Sequence, residues 1–358
     1  MIPLDIAIIA KEEELREELH TKLVCTANHG FAPYAQEELR RLFGSVKSTM
    51  LIPGEVFVAT LQTGPEEAVE AIRLQPPIFL RHLFPVQMEM AGADAEAAIR
   101  EAAGWLAQQE AVKEARSAAI HVRKTDNSSW AHSPGELREQ LQQHLAPLEL
   151  EFTVQQPEWI ISLFATDDIW YAGVSKAEDN LSDWNGGAIR FQREEGQISR
   201  AKFKLLEAEQ QFSIPFASYR RALDIGAAPG GWTSFLLERG VEVTAVDPAK
   251  MHPSLSGHSG LRVIRKNAAE VSFRESEFDL LVCDMSWSPK QMVKLVTGLL
   301  YSLQIGGTAV ITVKLLTKKP MALIKEIIAQ FEEARMQVQG AKQLFHNRDE
   351  ITLYMIKY

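Results

Sequence analysis

The chain has 358 residues, 46% hydrophobic and 24% charged, which is enough for two or three domains with cores of their own. It has no run of about 18 apolar residues, so no membrane span is expected, and its net charge of −9 by itself argues against a nucleic-acid partner. The charge is uneven: Arg200 to Tyr358 carries 21 Lys+Arg against 16 Asp+Glu, while Met1 to Ser199 carries 17 against 31. The second half can meet a polyanion; the first is acidic.

Met1 to His20 turns acidic at Glu12, Glu13 and Glu14, so no secretory signal is expected there. Cys25 and Cys283 sit in separate apolar runs and read as buried, reduced thiols, consistent with a cytoplasmic protein. The nine histidines show no paired ligand spacing and there is no C-x-x-C, so no metal is expected.

In chain order, Leu23 to Asn28 reads as a strand, Tyr34 to Phe43 as an amphipathic helix, Val56 to Leu61 as a strand and Pro65 to Arg73 as a helix. Pro76-Pro77 breaks the chain after this small α+β unit, which an N-terminal helical arm would precede. Ala93 to Gln109 reads as a helix and Ala118 to Val122 as a strand. Ser133-Pro134-Gly135-Glu136 opens a further helix with a capping box and a proline at the first helical position. Trp159 to Ala165 and Ile169 to Val174 form a hairpin about Thr166-Asp167-Asp168, and Asn180 to Gly187 is a loop.

From Ala201 the pattern alternates between helix and strand. Ala201 to Gln210 and Trp232 to Arg239 read as helices; Ala222 to Ile225, Val241 to Val246, Leu261 to Ile264, Asp279 to Cys283 and Thr308 to Val313 read as strands. Leu344 to Ile356 would supply the last strand pairing. Such alternation predicts an α/β fold with a mostly parallel sheet covered by helices on both faces.

Leu223-Asp224-Ile225-Gly226-Ala227-Ala228-Pro229-Gly230-Gly231-Trp232 runs from an apolar strand through a glycine-rich turn into a helix. That places a ligand at the carboxyl end of a strand, beside a helix N-terminus. The next strand ends at Asp247, whose carboxylate can bond both hydroxyls of an adenosine ribose. Ala228 occupies the second glycine position of a dinucleotide motif, so no pyrophosphate cradle is expected.

Gly226 to Trp232 resembles the S-adenosylmethionine loop of the FtsJ-type 2'-O-ribose RNA methyltransferases. Ser199-Arg200-Ala201-Lys202-Phe203-Lys204-Leu205-Leu206-Glu207, Val282-Cys283-Asp284-Met285, Val313-Lys314-Leu315 and Arg348-Asp349-Glu350-Ile351-Thr352 resemble further segments of that family. The resemblance implies a catalytic tetrad of Lys204, Asp284, Lys314 and Glu350. It implies a cofactor set of Asp224, Gly226, Ala228, Pro229, Gly230, Gly231, Trp232, Asp247, Asn267 and Asp284. Asn267 stands where an adenine-contacting Asp is common, and Asn can still bond an adenine edge.

Within the family, the similarity points to members that methylate a cytidine 2'-hydroxyl of 23S ribosomal RNA and carry an N-terminal THUMP domain. It implies a ferredoxin-like unit over 1–90, a THUMP-like RNA-binding domain over 91–190 and a Rossmann-like methyltransferase domain over 191–358. RNA is the implied partner, with Arg123 and Lys124 a candidate phosphate contact.

A sulfonium methyl is already activated, so the protein's task is to align the hydroxyl and assist its deprotonation. Lys314, ending an apolar strand, is the expected base, with Asp284 as its partner and Lys204 lowering its pKa by repulsion. Trp232 and Trp287 are candidates either for stacking or for core packing. A base-amine methyltransferase is disfavoured, because Asp284-Met285-Ser286-Trp287 stands where an N-x-P-[YF] sequence would be. A methyltransferase of another RNA position and a non-catalytic RNA-binding module remain as alternatives.

Overall fold

The computed structural model describes residues 20–358 except 93, 126–131, 194 and 318. The expected N-terminal arm and the first residue of the helix beginning at Ala93 lie outside the described residues. No described helix is long and apolar enough to cross a membrane. The chain divides into two units, residues 1–189 and 190–358.

The first unit contains two sheets. Strand β1 (Thr21–Ala27) is followed by helix α1 (Ala32–Phe43), strands β2 (Val46–Ile52) and β3 (Val56–Leu61), helix α2 (Pro65–Leu74) and strand β4 (Leu80–Pro85), giving the order β2-β3-β1-β4, all antiparallel. The sequence reading left β2 and β4 unassigned. Only one face of β2 is half-covered, and in β4 the polar residues Arg81 and His82 are buried, which obscures its alternation.

The second sheet has the order β5-β9-β8-β6-β7. Strand β5 (Met88–Ala91) leads to helices α3 (Ala95–Leu106) and α4 (Glu110–Glu114), strand β6 (Ser117–Lys124), helix α5 (Pro134–Leu145), the short strand β7 (Glu151–Phe152), and the hairpin β8 (Trp159–Ala165) and β9 (Ile169–Lys176). The expected capping box is present. The Ser133 hydroxyl accepts from the Glu136 amide at 3.2 Å, and the Glu136 carboxylate accepts from the Ser133 amide at 2.7 Å. Val24, Val56 and Phe84 of the first sheet pack against Phe164 and Tyr171 of the second.

Arg123 is not a free phosphate contact. Its guanidinium donates to Thr26 Oγ1 at 2.8 Å and to Glu55 at 3.0 Å, and Arg81 reaches the same carboxylate at 3.6 Å. Pairing engages the buried Arg81 and the half-buried Arg123 on one carboxylate, so the Arg123 guanidinium is held within the fold.

In the second unit, helix α6 (Lys202–Gln211) precedes strand β10 (Arg221–Ile225), helix α7 (Gly231–Glu238), strands β11 (Glu242–Val246), β12 (Leu261–Ile264) and β13 (Phe278–Cys283), helix α8 (Pro289–Leu299), strand β14 (Leu303–Lys314), helix α9 (Pro320–Glu333), and strands β15 (Met336–Lys342) and β16 (Glu350–Lys357). The sheet order is β12-β11-β10-β13-β14-β16-β15, parallel from β12 to β14 and antiparallel at β16 and β15. Leu280, Val282 and Val310 of its central strands are fully buried, as a sheet covered on both faces requires. Cys25 and Cys283 are free, buried thiols.

A further expectation needs correction: Leu344 to Asn347 is a turn, not part of a strand. The Leu344 amide donates to Asn347 Oδ1 at 2.9 Å, and the buried Glu207 carboxylate accepts from the Phe345 and His346 amides at 2.6 and 2.9 Å. Side-chain acceptors thus take the hydrogen bonds that a sheet ladder would have used.

Candidate active site

Strand β10 ends between β11 and β13. The chain passes from β10 outward through β11 and β12, then returns to β13 on the other side. This is the switch point at which a parallel sheet opens a crevice. An open cleft lies there, lined by Gly226, Ala228, Asp247, Asn267, Asp284 and Met285 among others.

The glycine loop is shaped by local hydrogen bonds. Gly226 has φ +74°, and a Cβ there would lie 2.5 Å from Met285 Cγ. Its amide donates to the Val246 carbonyl at 3.0 Å, which ties the loop to the end of β11. Asp247 Oδ2 accepts from the Ala228 amide at 3.1 Å, and its Oδ1 accepts from the Ala249 amide at 2.8 Å. Asn267 Oδ1 accepts from the Ala269 amide at 3.1 Å, so the side chain is held by its oxygen.

Several residues of the expected cofactor set stand behind the cleft rather than in it. Asp224 is 1% exposed and accepts a 2.6 Å hydrogen bond from Thr233 Oγ1. Burial pushes its carboxyl up to about 7, against a smaller opposing effect of the Thr233 bond. It braces the loop from within. Trp232 is buried and its indole donates to the Ala201 carbonyl at 2.8 Å, which resolves that residue toward core packing. Gly230 and Gly231 serve close packing: a Cβ at Gly230 would lie 2.3 Å from Leu255 Cδ1, and one at Gly231 would lie 2.2 Å from Ser199 Oγ. Pro229 follows a cis peptide bond and does not line the cleft.

The four tetrad residues come together from four elements. Lys204 lies in the first turn of α6, Asp284 follows β13, Lys314 ends β14 and Glu350 begins β16. Lys204 Nζ donates to both Asp284 oxygens at 2.9 Å and pairs with Glu350 Oε1 at 2.6 Å. Lys314 Nζ pairs with Glu350 Oε2. Asp284 therefore partners Lys204, and the expected Asp284–Lys314 pair is not formed. Among the described residues, Glu350 is the group that bonds the Lys314 ammonium. Glu350 is itself 2% exposed and spans the two lysines.

Burial of Lys204 works to lower its pKa, but the adjacent Asp284 and Glu350 carboxylates outweigh it and hold the ammonium above the usual lysine range. Lys204 is a fixed positive charge. Two carboxylates and two ammonium groups balance, which a partly buried cluster needs. The sequence reading missed two supports: Thr312 Oγ1 donates to Asp284 Oδ1 at 2.7 Å, and Asn347 Nδ2 lies 3.4 Å from Glu350 Oε1. Thr312 carried a signal: it is a polar residue within an apolar run, two positions before Lys314 and so on the same strand face. Among the described residues no cluster of metal-ligating side chains occurs.

Residues 197–347 match the FtsJ-like methyltransferase family. The chain is 32% identical to ribosomal RNA large subunit methyltransferase M of Halorhodospira halophila, over 54% of this chain and 56% of that protein. It is 34% identical to the protein of the same name from Laribacter hongkongensis, over 49% of this chain and 52% of that one. The chain thus spans about half the length of the curated relatives it matches. Among solved structures, TrmN from Thermus thermophilus is similar at 16% identity and a TM-score of 0.41, over 94% of this chain and 100% of that one.

Proposed function

We propose that this chain transfers a methyl group from S-adenosylmethionine to a ribose 2'-hydroxyl of RNA, with a cytidine of 23S ribosomal RNA as the acceptor, in the cytoplasm. The observation that carries this reading is the double engagement of Asp284. It lines the cleft and also pairs with Lys204. A group bound in the cleft and a group bound at the tetrad therefore meet at Asp284. The names of the relatives support ribosomal RNA as the substrate. We further assign RNA delivery to the first unit, reading residues 91–190 as a THUMP-like domain from the likeness of Ser133 to Leu145 and the hairpin after it.

The cleft residues fit the cofactor. Gly226 presents bare backbone, Asp247 offers a carboxylate for ribose hydroxyls, and Asn267 has an amide for an adenine edge. When bound, S-adenosylmethionine supplies an electrophilic methyl on a sulfonium. The protein's own residues do the rest. Lys204, held charged, fixes Asp284 and Glu350. Glu350 in turn orients Lys314, to which we assign the role of accepting the proton of the 2'-hydroxyl. Holding that hydroxyl in line converts an encounter into a positioned reaction.

Incubating unmodified 23S ribosomal RNA with S-adenosylmethionine and the protein, followed by mapping of ribose methylation, tests the reading. A single new 2'-O-methylcytidine is expected. A methyl on a base, or none, sinks it.

A further inference from the structure

Phe191, Phe203 and His346 form a ring cluster outside the hydrophobic core of the second unit. Phe191 stacks on His346 at 5.4 Å and 28°, and Phe203 lies 5.1 Å from His346 and 5.6 Å from Phe191. All three are partly exposed, whereas the core rings Phe216 and Phe235 of the same unit are fully buried.

The cluster is built onto the tetrad. Phe203 immediately precedes Lys204. His346 immediately precedes Asn347, whose amide faces Glu350. Glu207, on the same helix as Phe203 and Lys204, clamps the backbone of Phe345 and His346. One helix therefore both carries Lys204 and fixes the turn that holds His346.

Position along the sheet decides the direction. The cleft lies at β11, β10 and β13, the tetrad spans β13, β14 and β16, and the His346 turn joins β16 to β15. The rings thus stand beyond the tetrad, on the side away from the cleft. A nucleotide with its 2'-hydroxyl at Lys314 and its base directed away from the cleft would meet these rings. Arg190, Arg193 and Arg348 are exposed and flank the rings in sequence. Aromatic faces interleaved with arginines suit a single-stranded, unstacked base and its backbone.

We infer that Phe191, Phe203 and His346 form the stacking platform for the base of the nucleotide that is methylated. This rests on the functional reading above. Stacking tolerates any base, so the platform supplies affinity and orientation, and it requires the target nucleotide to be splayed out of a helix.

The test measures methyl transfer to a 23S ribosomal RNA transcript by Phe191→Leu, Phe203→Leu and Phe203→Tyr. Both leucine variants should raise KM for RNA by roughly tenfold, with a smaller change in kcat, while Phe203→Tyr stays near wild type. Affinity for S-adenosylhomocysteine and the thermal midpoint should not move. Unchanged KM overturns the proposal, and so does a KM increase accompanied by loss of cofactor affinity or of thermal stability, which would mean a packing role. Fluorescence anisotropy with a labelled oligocytidylate 12-mer separates this inference from the functional reading. If wild-type protein methylates no ribosomal RNA but binds the oligonucleotide more tightly than the leucine variants do, the functional reading fails and the platform stands. Equal binding by all variants overturns the platform.

Discussion

Lys314 and Glu350 stand directly opposite each other in the antiparallel β14–β16 ladder, and their side chains pair. The base candidate and its orienting carboxylate are therefore fixed by strand register. A slip of one residue would turn Glu350 to the other face.

Lys314→Ala should lower single-turnover methyl transfer by roughly 10²-fold or more, with little change in cofactor affinity, the range usual for a positioned proton acceptor. Lys314→Arg should fail as well, because guanidinium cannot accept the proton. A near-normal rate in Lys314→Arg would make Lys314 a positive charge only, and the base would have to be sought elsewhere.

Lys204 differs from Lys314 in having both carboxylates as partners. Its raised pKa means that its stabilising effect is full below the unfolded lysine value of about 10.4 and is lost only as pH rises through the still higher folded value. Lys204→Met should therefore lower the thermal midpoint by a similar amount at pH 6 and pH 8, since it leaves Asp284 and Glu350 short of a countercharge. A destabilisation that appears at one of these pH values and vanishes at the other would refute the assignment.

Gly226→Ala should weaken S-adenosylhomocysteine binding about tenfold or more by calorimetry, because the new methyl meets Met285 at the cleft wall and the backbone is left-handed there. Gly230→Val acts differently. Gly230 has φ +114° and abuts Leu255 and Met251, so this variant should lose thermal stability along with affinity. Intact stability in Gly230→Val would contradict the packing described for that turn.

Asp224 is buried with its carboxyl raised to about 7. The folded state therefore holds a proton that the unfolded chain releases near pH 4, and stability falls as pH rises between those values. The full cost is on the order of 4 kcal/mol. Asp224→Asn, which keeps an acceptor for Thr233, should stabilise the protein more at pH 8 than at pH 5 in urea unfolding. An equal effect at both pH values would show that Asp224 is not protonated in the fold.

The sequence by itself determined the strands from Ala222 to Val313, the glycine turn at Gly226 and the Ser133 capping box. These follow from short-range chemistry: apolar periodicity, glycine where the backbone is left-handed, and a side-chain acceptor at a helix start. The grouping of Lys204, Asp284, Lys314 and Glu350 came from the family resemblance alone. The sequence did not determine partners. β14 lies between β13, which leads into Asp284, and β16, and it is the β14–β16 register that sets Lys314 opposite Glu350, 36 residues away. Arg123 looked like a free cation because its partners Thr26 and Glu55 lie 97 and 68 residues distant. Asp224, likewise, belongs to the cofactor motif in sequence but is sealed behind the loop by Thr233 and the core. Burial and long-range pairing arise when elements pack together, so the tertiary structure decided them.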